Sequence, residues 1–163
     1  PNSLLIIVDR GIDSQKTHEL INSLAINKNI MYVKGPLNSN QLLYYYNLSD
    51  VVADDFIIDD IGAISRESLS CAKPLITYFN VDGYRELYGD SPPILNASTI
   101  SEISSQLEFL LDEKIRIDIG KKSRDWVIRQ YSPSIFSQRL KIIYDSIISG
   151  KPIEEIRHLI YEV

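Results

Sequence analysis

Short apolar runs that alternate with segments of helical periodicity constrain the fold of this chain more than any other feature. The first run covers residues 4–8 and contains no polar residue. A run of that length and character is typical of a strand buried on both faces, as in a parallel sheet. Further strands are predicted at residues 30–33, 51–53, 74–78 and 93–95. The helical periodicity between them predicts an α/β domain built on a parallel sheet.

From residue 99 onward the pattern indicates helices only. Thr99 and Glu102 have the spacing of a capping box, and an apolar stripe follows them. Three more helices are predicted, one through Trp126, one from about Ser134 to Gly150 and one from Pro152. We therefore expect a Rossmann-like, doubly wound parallel sheet over residues 1–98, with helices on both faces. Residues 99–163 should form a helical C-terminal tail that packs on the same single domain.

The composition argues against several classes of protein. The chain has 44% hydrophobic and 24% charged residues, as globular domains do, and no apolar run long enough to span a membrane. Its net charge of −5 disfavours a nucleic-acid partner, because displacing counterions from phosphates needs a basic surface. With one cysteine, Cys71, there is no intrachain disulfide framework, which indicates a reducing compartment, and we expect a cytoplasmic protein.

The densest chemical signal lies in residues 49–75. A predicted strand leads to Asp54 and an acidic loop, and the next predicted helix begins at Gly62. A helix N-terminus presents free N–H groups and a partial positive charge, so a phosphate can bind there, and Gly62 leaves it room. Further along this helix, Glu67 can accept hydrogen bonds from adjacent ribose hydroxyls, and helical spacing offers it no ion-pair partner. These features suit a nucleoside diphosphate, although a tightly packed glycine and a solvated acidic loop would explain the same residues.

Topology provides a second reason to expect a site in this region. Ligands of open α/β sheets bind beyond the carboxyl ends of the strands. In this chain those ends comprise residues 9–11, 35–37, 54–62 and 80–84. The acids between Asp54 and Asp60 also suit a divalent cation, but we rank this interpretation second. No metal and no cofactor is assigned.

The order and spacing of several motifs resemble the donor-binding half of the group 1 (family 4) glycosyltransferases, which have the GT-B architecture. Asp59 lies eight positions before Glu67, and the helix leads into the segment Ala72-Lys73-Pro74. The other matches are Asn29 to Gly35, Leu42 to Asp50, Asp54-Asp55-Phe56, Pro92 to Ala97, Ile119 to Arg124, and Tyr144. Together the matches extend over most of the chain, from about Leu4 to Ile147.

The resemblance implies a domain that binds a nucleotide-sugar donor for transfer of the glycosyl group to an acceptor hydroxyl. It implies that Glu67 holds the donor ribose and that the backbone at Gly62, Ala63 and Ile64 faces the phosphates or the sugar. Gly35 to Leu37 would line the base pocket. The expected donor-binding set is completed by Arg10, Asp54 and Asp59. No catalytic residue is assigned in this chain.

The resemblance also implies partners. These are the nucleotide-sugar donor, a glycan or lipid-linked acceptor, and an N-terminal acceptor domain of the same parent chain, which would supply the catalytic base. No nucleic acid is expected, and a lipid-linked acceptor would bring the protein into peripheral contact with a membrane surface.

The family's first strand–helix unit, which has an Arg and a Lys for the donor diphosphate, has two alternative places. It lies upstream of Pro1, in which case the chain is a fragment of a longer two-domain enzyme. Alternatively, residues 4–8 take the central place in the sheet, with Arg10 and Lys16 as the basic pair.

Three departures from the family pattern keep a second function open. Asp59 stands where the family has Glu, Ala72 replaces a Gly, and the basic pair is missing from its usual place. The alternative is therefore a non-catalytic, GT-B-like binding or assembly subunit of a split or degenerate enzyme.

The remaining polar and aromatic residues are interpreted as structural. Cys71 is expected to be a small core residue, and of Tyr44, Tyr45 and Tyr46 two should pack on the sheet and one should be exposed. The residues interpreted as helix surface are His18, His158 and the group of Lys121, Lys122 and Arg124.

Overall fold

The computed structural model describes residues 3–161, without the side chains of residues 157, 158 and 161. The interpretation of His158 as a surface residue therefore concerns a side chain outside the described residues. The strands are β1 (Leu5–Asp9), β2 (Ile30–Lys34), β3 (Val52–Ala53), β4 (Leu75–Thr77) and β5 (Leu95–Asn96). The helices are α1 (Ser14–Ser23), α2 (Ser39–Leu48), α3 (Ala63–Ser70), α4 (Val81–Tyr88), α5 (Ile100–Phe109), α6 (Glu113–Tyr131), α7 (Pro133–Ile148) and α8 (Ile153–Tyr161), and a short 3-10 helix (Asn27–Asn29) precedes β2.

The five predicted strands all form, and each pairing between them is parallel. Leu5 of β1 lies opposite Ile30 of β2, while β4 pairs with both β3 and β5. The prediction of an α/β fold with parallel strands is therefore confirmed. Within the described residues the strands lie in two sheets, ordered β1–β2 and β3–β4–β5.

The chain divides into two compact units, one that ends at Tyr45 and one that begins at Tyr46. The first unit contains β1, α1, β2 and most of α2. Ile21 of α1 is buried there, whereas Leu5 and Val8 of β1 are 53% and 37% exposed. The predicted boundary at residues 98/99 lies within the second unit, so the tail helices and β3–β5 belong to one compact body.

The core of the second unit forms around β4 and helix α6. Leu75 and Ile76 of β4 are fully buried, and Ile76 packs with Leu95 and Leu110, which joins the sheet to the tail helices. Trp126 of α6 is also buried. The aromatic rings around it belong to Tyr84, Tyr88 and Tyr131.

Helix ends follow local sequence signals. The capping box is confirmed, because Thr99 accepts from the Glu102 N–H and the Glu102 carboxylate accepts from the Thr99 N–H. Helix α4 is not among the predicted elements. Its N-cap is Asn80, which accepts from the Gly83 N–H, and Gly89 ends it with a φ of 68°. Both are ordinary helix-end signals, so the sequence contains the information needed to find α4.

Helix α6 approaches the end of α3 closely because Gly120 has no side chain. A Cβ atom on Gly120 would lie 2.1 Å from the carbonyl oxygen of Ala72. One turn later, the exposed Arg124 side chain donates to the carbonyl oxygen of Ser70. Arg124 is thus at the surface, as predicted, but it also satisfies a carbonyl group at the C-terminus of α3. No helix in the described part of the chain is long and apolar enough to cross a membrane.

Candidate functional site

The first turn of α3 follows the carboxyl end of β3, where the sequence predicts a ligand site. An acidic loop, residues 54–62, connects the two elements. Gly62, Ala63 and Ile64 are exposed at the start of the helix. Because the first N–H groups of a helix have no partner within it, this turn presents backbone donors at an accessible surface.

Glu67 lies on the exposed surface of α3, and one of its carboxylate oxygens has a buried partner. The Tyr46 hydroxyl donates to Glu67 Oε2 at 2.9 Å, and Tyr46 is only 7% exposed. Burial, together with this bond, raises the pKa of Tyr46, so the phenol stays protonated at neutral pH. The partner comes from the end of α2, not from α3, so helical spacing could not reveal it.

A carboxylate occupies the N-terminal end of α3. Asp54 Oδ2 accepts from the hydroxyl of the fully buried Ser65 at 2.6 Å. The same oxygen would lie 3.9 Å from a Cβ atom on Gly62. The helix dipole stabilises a negative charge at this place. That charge repels a phosphate, however, so it disfavours the predicted phosphate contact at Gly62 itself.

Two other acids hold the conformation of the loop. Asp55 Oδ1 accepts from the N–H groups of Ile58 and Ile57, which lowers the pKa of Asp55. Asp60 accepts from the N–H of Ile61 and from the buried Tyr84 hydroxyl, each at 2.7 Å. These bonds anchor the loop to the aromatic core.

Asp59, the fourth acid of the loop, is exposed.

Across residues 3–161, apart from the undescribed side chains, no three His, Cys, Asp or Glu residues are grouped so that they could hold a metal ion.

The first unit contains the other predicted site residues, Arg10, Gly35 and Leu37. A Cβ atom on Gly35 would lie 3.1 Å from Cδ of Arg10, so the Arg10 side chain lies directly against this glycine. Leu37 is half-buried. Lys16, the second residue of the alternative basic pair, forms an ion pair with Asp13 at 2.7 Å. The first unit therefore places Arg10 beside Gly35. Lys16 instead pairs with Asp13, the N-cap residue of its own helix α1.

A cavity of about 310 Å³ lies at the start of α1, between the end of β1 and the helix. Asp9 at its edge accepts from the Ser14 hydroxyl and contacts Nε2 of His18 at 3.0 Å, and these two bonds lower the pKa of Asp9. The His18 ring also stacks on Tyr32, with 4.1 Å between ring centroids. His18 lies on α1 with a side chain that is 38% exposed, as predicted for a helix-surface residue. Its contacts with Asp9 and Tyr32 were not predicted, because these residues belong to strands that helical spacing does not connect to it.

The sequence patterns do not predict three residues of the site: Tyr46, Ser65 and Tyr84. Each places one polar atom on a carboxylate while the rest of the side chain is buried. Tyr46 lies within residues 42–50, one of the segments that carry the resemblance. That position was the sequence signal from which its role could have been predicted. Tyr44, by contrast, is 62% exposed. This agrees with the prediction that one tyrosine among residues 44–46 is exposed.

Cys71 is half-buried at the C-cap of α3, and burial raises the pKa of its thiol, which disfavours the reactive thiolate.

The chain matches no protein-family model and no curated protein. The function proposed next rests on the residues of this chain and on the motif resemblance that they form.

Proposed function

We propose that this protein binds a nucleoside diphosphate sugar, as the donor-binding domain of a glycosyltransferase. The observation that supports it most is the Glu67 carboxylate, which is exposed on α3 while Tyr46 holds one of its oxygens at 2.9 Å. An exposed carboxylate with a fixed orientation can accept hydrogen bonds from two adjacent hydroxyls of a ribose. Its place after β3 agrees with the usual ligand position in parallel α/β sheets.

The resemblance provides the proposals for the remaining contacts of the donor. Ala63 and Ile64 are exposed residues, and their N–H groups are proposed to face the phosphates or the sugar. Asp54, near Gly62, would accept a sugar hydroxyl, because its charge opposes a phosphate there. Within the first unit, Arg10 with Gly35 to Leu37 is proposed, from the resemblance, for the base and the diphosphate charge. Within the second unit, the exposed Asp59 is proposed for a peripheral contact.

The doubly wound sheet remains part of this proposal. In the family that the chain resembles, the first strand is central in the sheet. Among the described strands, β1 pairs only with β2, and β3 pairs only with β4.

The acceptor side of the reaction is proposed to lie elsewhere. An N-terminal domain of the parent chain would bind a glycan or lipid-linked acceptor and supply the catalytic base. The chain alone would then bind the donor and transfer little or no sugar. We propose a cytoplasmic location, with contact to a membrane surface if the acceptor is lipid-linked.

Calorimetric titration with UDP, GDP, ADP and CDP tests the donor site. We expect at least one of them to bind, and Glu67→Gln to weaken that binding by at least ~10-fold, because a carboxylate that accepts ribose hydroxyls contributes about 1.5–3 kcal/mol. The melting temperature should change little, since the glutamine amide oxygen can still accept from Tyr46. Glu108→Gln makes the same change on the exposed surface of α5 and should leave affinity unaltered.

Failure of all four nucleotides to bind the folded protein would contradict the proposal. If Glu67→Gln keeps its affinity but lowers the melting temperature, Glu67 has a structural role only.

A second candidate is a non-catalytic binding or assembly subunit. The observation that favours it is the Asp54 carboxylate at the N-terminus of α3, next to Gly62. A negative charge at that place is expected in a site that no longer binds a phosphate. This candidate predicts no nucleotide binding by the protein, and an open reading frame that starts close to Pro1 would support it.

A further inference from the structure

Tyr46 and Glu67 form a pair with unequal exposure. The Tyr46 ring is buried at the end of α2, and its hydroxyl reaches the carboxylate of Glu67, which is exposed on α3. The bond joins residues that are 21 positions apart. A buried donor of this kind restricts a surface side chain that would otherwise move among several rotamers.

The direction of the hydrogen bond is determined by the surroundings of Tyr46. Its pKa is raised by burial first, then by the bond to Glu67 and the charges of Glu67 and Asp54. The phenol is therefore protonated at neutral pH, and its proton lies toward Glu67 Oε2. The bond leaves Oε1 and the second lone pair of Oε2 as acceptors directed away from Tyr46.

We infer that Tyr46 is the positioning residue of the donor site and that it makes the site selective for ribose over sugars without vicinal hydroxyls. By holding Oε2, it fixes the plane of the Glu67 carboxylate before the nucleotide arrives. Oε1 then accepts from one ribose hydroxyl, and the free lone pair of Oε2 accepts from the neighbouring hydroxyl. Tyr46 does not touch the ligand, and its contribution is preorganisation of the acceptor. This inference rests on the proposed function.

The test compares ribonucleoside diphosphates with their 2′,3′-dideoxy analogues by calorimetry. The probes are UDP, GDP, ADP and CDP, each paired with its dideoxy form. The protein should prefer each ribonucleotide that binds by at least ~10-fold. Tyr46→Phe keeps the ring and removes the hydroxyl, and it should reduce that preference by ~3-fold or more while the dideoxy affinity stays the same.

The ratio of the two affinities separates positioning from folding. A variant that is partly unfolded loses the same factor for both ligands, so its ratio does not change. Tyr44→Phe is the matched control: it removes a hydroxyl from an exposed neighbour in the same helix and should leave the ratio as it is. The double variant Tyr46→Phe with Glu67→Gln should have the ratio of Glu67→Gln alone, because both changes act on one interaction.

The outcomes for the two proposals differ. If Glu67→Gln lowers the ratio and Tyr46→Phe does not, or if Tyr46→Phe lowers both affinities equally, the positioning role is wrong and the donor site stands. If the protein binds none of the four nucleotides, the proposed function fails, and the inference fails with it.

Discussion

At the scale of single residues, Ala72 occupies a backbone conformation that glycine adopts more readily. It follows α3 with a φ of 57°. Its N–H bonds to the carbonyl of Leu69, and the Lys73 N–H bonds to the carbonyl of Ser68. This is the Schellman arrangement, in which the residue after the helix is left-handed. Ala72 stands where the pattern that the chain resembles has Gly, and the positive φ gives the physical reason why glycine suits this position.

Ala72→Gly should stabilise the protein. A Cβ atom in the left-handed conformation costs about 1–2 kcal/mol, and the greater freedom of glycine in the unfolded chain offsets part of the gain. We expect a net increase of about 0.5–1 kcal/mol in the free energy of unfolding, measured by urea titration. Ala63→Gly, in the first turn of the same helix, is the control and should destabilise the protein. An unchanged or lower stability of Ala72→Gly would show that the left-handed alanine is not strained.

At the scale of elements, α5 begins with a capping box whose strength depends on charge. The N–H groups of Ser98 and Thr99 donate to the Glu102 carboxylate and lower the pKa of Glu102 below its usual value of 4.5. A carboxyl group with a lowered pKa in the folded state stabilises the fold above the pKa of the unfolded chain. That contribution is lost as the pH falls through the folded-state pKa.

Glu102→Gln isolates the contribution of this charge. The amide oxygen can still accept from the N-cap, so the box is retained and only the charge is lost. The urea midpoint of the variant should be lower than that of the unmodified protein at pH 7, and the difference should shrink as the pH falls below 4. Glu108→Gln on the same helix should show no such convergence. A difference that stays constant down to pH 3 would exclude the charge as its cause.

At the scale of the whole molecule, the exposure of β1 conflicts with its sequence. Residues 4–8 have the uniform apolar character of a strand buried on both faces, yet Leu5 is 53% exposed and β1 pairs with β2 alone among the described strands. An apolar strand with unpaired backbone groups is a surface on which further strands can add. The present chain should therefore associate with itself at high concentration.

Leu5→Lys should reduce that association, because a charge on an edge strand opposes the addition of another strand. Sedimentation velocity over a concentration series measures it. Ile12→Lys makes the same change at a residue that is 98% exposed outside the strand, and it should have little effect. Equal reduction by both variants would indicate that net charge, not the edge of β1, controls association.

Local sequence patterns predict the strands, most helices, the parallel α/β class and the capping box at Thr99. Each of these depends on side-chain period or on cap residues within a few positions, so the information is local. The same holds for the exposed turn at Gly62, which follows from a glycine between a strand and a helix. Helix α4 is also marked locally, by Asn80 and Gly89 at its ends, although the apolar periodicity did not predict it.

The pairing of the side chains in the site depends on the packing of distant segments. Tyr46 reaches Glu67, Asp54 reaches Ser65, and Gly120 admits the carbonyl of Ala72, over separations that no periodicity connects. The division of the strands into two sheets is also a property of the folded chain. The physical reason is the same in each case: a hydrogen bond or a close contact depends on where two distant backbones meet, and packing of the whole unit sets that position.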